Sequence, residues 1–277
     1  MDQEQPTREP LDRPLICSIG DLILDVVVLP KAPLARDGDT PATIRLTGGG
    51  QAANVAVWVS ALGARSRLIC ARGTDQAAQI AAADLARRGV EICGPVFDGA
   101  GGVVVSTREV DGARTMVSDP GVAGSLDAAS LDSVWVSSAD VLHVSGYCLL
   151  REPQAETAIA AARLAQRVSV DLASANDIEL FGAKRFTALV RELGPDLVFA
   201  NEAERAVVPD LEANWVIKLG ARGAIFPEGE FPAAAVRAVD TTGAGDALAA
   251  GYLVGGPELA MAAAARCVAQ VGATPVD

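Results

Sequence analysis

Residues 141–226 alternate short apolar runs with longer stretches of helical character, and this alternation limits the fold more than any other feature. Residues 141–144 read as a strand, 152–166 as a helix and 168–171 as a strand. Residues 177–193 then read as a helix and 196–200 as a strand. Strands separated by helices of this length pair in parallel, because each helix has to carry the chain back across the sheet. The expectation is an α/β fold: a doubly wound, mostly parallel central sheet flanked by helices. Ligands in such sheets gather at the carboxyl ends of the strands.

The chain has 277 residues, enough for one large α/β domain. Half of it is apolar but only 4% is aromatic, so its core should be Ala, Val and Leu. Residues 1–14 are polar and rich in Pro and charge, and read as a disordered tail with no signal-peptide core. Residues 15–277 form the domain. A net charge of −12 without any basic run argues against nucleic-acid or acidic-membrane partners. No apolar run approaches the length of a membrane span. Cys17, Cys70, Cys93, Cys148 and Cys267 are widely spaced, which fits reduced core thiols and a cytoplasmic protein. The single histidine, His143, lies in an apolar strand and reads as a core or pocket residue. No G-x-x-x-x-G-K-[ST] string occurs, which excludes a P-loop enzyme.

In the first half, residues 15–20 read as a buried strand. Asp21 and Asp25 would share a face if that strand continued unbroken. Asp25 lies within an apolar run, where burying a charge is costly, and is expected to face a polar cavity. Residues 40–47 form another strand that delivers Gly48-Gly49-Gly50 to a helix ending near Leu62, with Asn54 on its first turns. Gly48-x-Gly50-x-x-Ala53 fits a dinucleotide fingerprint, but the strand at 66–71 ends in Arg72-Gly73 instead of an acid, so that reading is set aside. Residues 103–110 and 113–118 flank Asp111-Gly112, a two-residue hairpin signal. With strands at about 24–30 and 40–47 they would make a second, small sheet.

Three further strings carry chemistry. In Asp240-Thr241-Thr242-Gly243-Ala244-Gly245-Asp246 a Gly-rich turn opens a helix, so unpaired N–H groups and the helix dipole make an anion pocket. Asp246 is either a first-turn residue favoured by the dipole or a general base beside a transferring anion. The dipole should lower its pKa. Asn201-Glu202-Ala203-Glu204 is either a capped helix start or an element that orders a metal and phosphates. Residues 215–226 read as a hairpin around Gly220 and Gly223. An Ala-rich helix, 260–271, closes the chain.

The 240–246 string closely resembles the C-terminal signature of the ribokinase-like (phosphofructokinase B) sugar kinase family. Gly49 to Ala56 resembles that family's N-terminal sugar-binding signature, and the motifs run in the family's order from about Leu15 to Thr274. The resemblance implies an ATP-dependent kinase acting on a hydroxyl of a sugar or sugar-like molecule; a nucleoside kinase or a non-catalytic sensor are the alternatives. It makes Asp246 the catalytic base and the amides of Gly243, Ala244 and Gly245 the anion hole. Asp25, Gly49, Gly50 and Asn54 would hold the substrate. Lys218, Gly220, Gly223 and Thr241 would lie near ATP, and Asn201 and Glu204 would order Mg²⁺ through water. The small sheet would be a lid and a homodimer interface. Activation by a monovalent cation such as K⁺ is common in the family, through backbone carbonyls that no sequence pattern reveals. The chain departs from the family in the short stretch between Glu204 and Trp215 and in the absence of an Arg after Asp171.

Overall fold

Successive side chains of a strand point to opposite faces, and in the first strand both faces are buried. Leu15, Cys17 and Ile19 enter one apolar cluster, with Ala158, Phe186 and Val190; Ile16 enters another, with Val55, Trp58 and Ala247. A strand covered on both sides belongs in the middle of a parallel sheet. The computed structural model describes residues 13–108, 114–172 and 174–276.

In chain order the strands are β1 (Leu15–Ile19), β2 (Ile23–Pro30), β3 (Ala42–Gly49), β4 (Arg65–Ile69), β5 (Val90–Cys93), β6 (Gly102–Arg108) and β7 (Arg114–Asp119). They continue as β8 (Val141–Ser145), β9 (Val168–Asp171), β10 (Leu197–Asn201), β11 (Trp215–Lys218), β12 (Ala224–Phe226) and β13 (Gly229–Phe231). The helices are α1 (Gln51–Ala61), α2 (Gln76–Arg87), α3 (Ser133–Ser137), α4 (Gln154–Ala162), α5 (Ala175–Phe181), α6 (Ala183–Leu193), α7 (Glu202–Val207) and α8 (Ala244–Val268).

Among the described residues nine strands form one sheet in the order β13-β12-β11-β10-β9-β8-β1-β4-β5. Pairing is parallel from β11 to β5, and β12 and β13 add an antiparallel edge. Residues of α4 and α6 cover one face, residues of α1 and α8 the other. The chain leaves β1 toward β4 on one side and later returns at β8 on the other. The strand order thus reverses beside β1, the place where open α/β sheets bind ligands. A second sheet, β3-β2-β6-β7, stands over that edge. Side chains at Asp25, Val27, Thr47, Val104, Ser106, Met116 and Ser118 line the cavity between the sheets.

The structure corrects several sequence expectations. The first strand does not run on to Asp25: the chain breaks between β1 and β2, which places Asp21 at the end of one strand and Asp25 within the other. The helix expected over 177–193 is two, α5 and α6, broken at Gly182 with φ 105°. The expected C-terminal helix is the second half of α8, which breaks at Gly255 and Gly256 and restarts at Pro257. By length and composition alone α8 is apolar enough to cross a membrane, contrary to the sequence expectation. Its break, and the burial of Ala247, Ala250, Ala260 and Cys267 in the core, make it a helix pair of this fold. Arg13 and Pro14, assigned to the tail, are tied to Gly63 and Arg65. Residues 1–12 and the Asp111-Gly112 turn lie outside the described residues.

The closing segment after α8 is held by Trp58, whose buried Nε1 donates to the carbonyl of Ala273 at 2.8 Å. Trp58→Phe keeps most of the packing but leaves that carbonyl with only the long contact from the Cys267 thiol at 3.8 Å, at a cost of about 1–3 kcal/mol. The expected outcome is a melting temperature lower by roughly 2–10 °C in thermal denaturation followed by circular dichroism.

Candidate active site

The two sheets enclose a cavity of about 1090 Å³ at the carboxyl edge of the large one. Six aspartates line it (Asp21, Asp25, Asp119, Asp177, Asp240 and Asp246), with two cations, Arg151 and Lys218. The wall is therefore strongly acidic. Gly50, Gln51, Asn54, Ser145, Tyr147, Thr241 and Gly243 also reach it.

Asp246 stands in the first turn of α8, whose N-cap residue Gly243 lies in the left-handed region, with φ 77°. Any Cβ at Gly243 would lie 2.5 Å from the backbone of Ala273, so both conformation and space require glycine there. Asp240 fixes the turn from the other side. Its Oδ1 accepts from the backbone and hydroxyl of Thr242, and its Oδ2 accepts from the amide of Gly272. Gly245 and Asp246 have first-turn amides, for which the helix itself has no acceptor. The Ala244 amide instead donates back to the carbonyl of Thr241 at 3.3 Å. Ala244, one of the three amides expected to form an anion hole, thus donates within the turn.

Across the cleft, Gly50 caps α1, and Asn54 on its first turn donates from Nδ2 to Asp246 Oδ2 at 2.8 Å. Asn54, expected to hold substrate, lines the cavity and through this bond also orients the Asp246 carboxylate. Its Oδ1 is buried without a hydrogen-bond partner among the described residues. Asp25 reaches the cavity from β2 with its carboxylate folded over Gly49, where a Cβ would lie 2.1 Å from Oδ2. The glycine triplet therefore makes room for this acid. Asp21 receives Gln154 Nε2 at 2.8 Å and is ion-paired with Arg151.

Burial, and then the negative charge of Asp171, push Asp246 up to about 7, against the hydrogen bond from Asn54 and the charge of Lys218; Asp25 adds to the rise. This overturns the expectation that the helix dipole lowers it. Burial and two neighbouring carboxylates, Asp171 and Asp25, outweigh a half-charge at a helix end. Burial lowers His143 to about 4, so this residue is a neutral core histidine, with Nδ1 2.9 Å from Ser169 Oγ.

Asn201 and Glu204 form a reciprocal capping box at the start of α7. Asn201 donates its backbone and side-chain N–H groups to the two Glu204 oxygens, and the Glu204 amide returns to Asn201 Oδ1. Glu204 is buried, and neither residue lines the cavity. Lys218, at the end of β11, does line it; Gly220 and Gly223 shape the hairpin that follows and do not. Sequence reading passed over Asp171 and Arg151. The available signal was positional: an acid closing an apolar strand at a carboxyl end, and a lone cation just beyond another.

Comparison with known proteins agrees with this geometry. The profile described as "pfkB family carbohydrate kinase" matches residues 13–276. An ATP-dependent ribose-1-phosphate kinase of Halopiger xanaduensis is 32% identical over 250 residues, covering 84% of this chain and 80% of its own. The crystal structure of adenosine kinase from Sinorhizobium meliloti superposes with TM-score 0.83 at 23% identity, over 96% of this chain and 97% of that one. A sugar kinase from Pyrococcus horikoshii, in complex with ATP, superposes with TM-score 0.79 at 25% identity, over 94% and 95%.

Ionising Asp246 has a cost that the fold itself reports. A carboxyl raised from 3.8 to about 7 holds its proton in the folded state after the unfolded chain has lost it. Stability therefore declines as pH rises from about 4 to 7 and is level above. Asp246→Asn removes the decline and keeps an acceptor for Asn54. Its unfolding free energy should exceed that of wild type by a margin that grows between pH 5 and 7, reaching on the order of 2 kcal/mol once the partial exposure of the side chain is allowed for. A margin independent of pH would contradict the assignment.

Proposed function

Because the chain belongs to the pfkB family of carbohydrate kinases, we propose that it transfers the γ-phosphoryl group of ATP to a hydroxyl of a sugar or sugar-like small molecule. The observation that carries the reading is the Asp246 carboxylate, raised to about 7, oriented by Asn54 and set beside the first-turn amides of α8. A base poised near neutrality can take a proton from an attacking hydroxyl. The amides of Gly243 and Gly245 can face the charge on the group in flight. As the hydroxyl oxygen bonds to the γ-phosphorus, the bridge to the β-phosphate breaks, ADP leaves and the proton rests on Asp246. In a loose transition state proton removal comes late, so positioning carries much of the rate.

Asp25 and the backbone at Gly49 and Gly50 would hold acceptor hydroxyls; Thr241 and Lys218 would lie along the nucleotide phosphates. Mg²⁺ suits this cavity when it arrives on the phosphates with most of its waters. Among the described residues no cluster of three or more His, Cys, Asp or Glu forms a cage for it, while the acidic wall favours a cation. Bound there it would neutralise phosphate charge; Asn201 and Glu204, expected to order its waters, stand back from the cavity wall in their capping box. A nucleoside acceptor is the second reading. Val27, Leu29, Val104 and Met116 of the second sheet give the cavity an apolar ceiling, joined by Leu180 and Phe181, on which a base could rest.

Release of ADP should be measured with Mg·ATP across pentoses, hexoses, pentose phosphates, keto-sugar acids and nucleosides. Turnover on one class is expected, with kcat lower by about 10²–10⁴ in Asp246→Asn. Because the proton acceptor must be ionised, kcat/KM should rise with pH and level off above an inflection near 7. Silence across the panel with ATP still bound would favour a sensor. The second sheet's outer face exposes Ile44, Leu46, Val105 and Val117, an apolar patch that supports its use as a homodimer contact. Sedimentation should give a dimer, and Leu46→Asp with Val117→Asp a monomer; a monomeric wild type would refute the contact.

A further inference from the structure

Three neighbouring strands of the large sheet end side by side: β9 at Asp171, β10 at Asn201 and β11 at Lys218. Asn201 pairs in register with Lys218, so the Lys218 side chain has to pass the end of β10 to reach β9. It does so fully. Its Nζ lies 2.7 Å and 2.8 Å from the two oxygens of Asp171, and 3.9 Å from Glu204 Oε2. Asp171 is 1% exposed and has its carboxylate committed to this one cation. The same ammonium lies 3.3 Å from the place a Cβ would occupy on Gly245, against the first turn of α8. Lys218 thus touches the anion-binding turn on one side and a fixed carboxylate on the other, and it faces the cavity.

A buried ion pair is weak evidence for stability, since taking both charges out of water costs about as much as their attraction returns. This pair also stands at the cavity wall, where apolar residues would serve folding equally well. A lysine carries four flexible bonds, and a charge left to wander over a strand end cannot hold a phosphoryl group in line. We infer that Asp171 is a positioning residue: by gripping Lys218 it sets one ammonium against the Gly243–Gly245 turn, where that charge meets the transferring phosphoryl group. Glu204, 3.9 Å from the same nitrogen, balances the remaining charge from behind. The capping box of α7 is therefore tied to the reacting centre through Lys218. The inference rests on the phosphoryl-transfer reading and adds to it a residue that touches neither substrate nor nucleotide.

The test is a double-mutant cycle on the acceptor that the wild type phosphorylates, with kcat, the KM for ATP and the melting temperature measured for each protein. Asp171→Asn should lower kcat roughly 10- to 100-fold while the KM for ATP stays within about threefold, because what is lost is alignment in the transition state. Lys218→Met should lower kcat at least as much, and Lys218→Arg should recover part of it. The double variant Asp171→Asn/Lys218→Met should be no slower than Lys218→Met alone, as Asp171 acts through Lys218. Two results overturn the inference: kcat within twofold of wild type in Asp171→Asn, or recovery of kcat in the double variant, which would make the pair a matter of charge balance in the fold. A wild type inactive on every acceptor would instead remove the kinase reading on which the inference stands.

Discussion

The hydrogen bond from Asn54 to Asp246 is the point on which the architecture converges. Its donor is carried by α1, launched from the glycine turn after β3, and its acceptor by α8, launched from the loop that Asp240 holds. The two helices pack together on one face of the large sheet, burying Val55 and Trp58 with Ala247 and Ala250. Small residues there let the helix axes come close enough for two first-turn side chains, 192 positions apart in the chain, to meet. Helix N-termini, glycine turns and carboxyl ends of strands then all face one cavity. Backbone N–H groups and acidic side chains are thereby set opposite each other across a few ångströms.

That opposition is electrostatically uphill, and its consequences are local. Asp171, Asp25 and Asp246 would repel one another if all were ionised, and burial raises the cost. Lys218 is the counterweight. Burial pulls its pKa down, but Asp171 first and then Glu204 and Asp246 more than restore it, so it stays charged. Asp246 is left as the group near its titration point, whereas His143, fully buried on β8 in the middle of the large sheet, is held neutral. An acidic cleft with a single fixed ammonium is suited to an anion that brings its own cation.

Much of this was legible in the sequence, for physical reasons that differ from residue to residue. Gly243 and Gly49 stand where a Cβ has no room, so glycine-rich strings marked both turns correctly. The β/α alternation marked the parallel sheet because its central strands, β1, β8 and β9, are buried on both faces. What sequence could not give is the company a residue keeps. The dipole argument for Asp246 used its own helix alone; Asp171 and Asp25 arrive from β9 and β2. Nothing in the chain signals that Asn54, expected to hold substrate, also donates to Asp246 at 2.8 Å. Gly220 and Gly223 belong to a recognisable turn, but neither is among the residues that line the cavity. The break at Gly182 went unseen because a single glycine inside a helical pattern is normally tolerated.

The direct measurement is the titration of the Asp246 carboxyl by carbon NMR on protein labelled at aspartate, assigned by its disappearance in Asp246→Asn. A midpoint near 7 is expected if burial and the carboxylates from β9 and β2 govern this residue. A midpoint below about 4, the ordinary range for an aspartate, would mean that the helix end sets its charge and that Asp246 is not a base poised for the chemistry assigned to it.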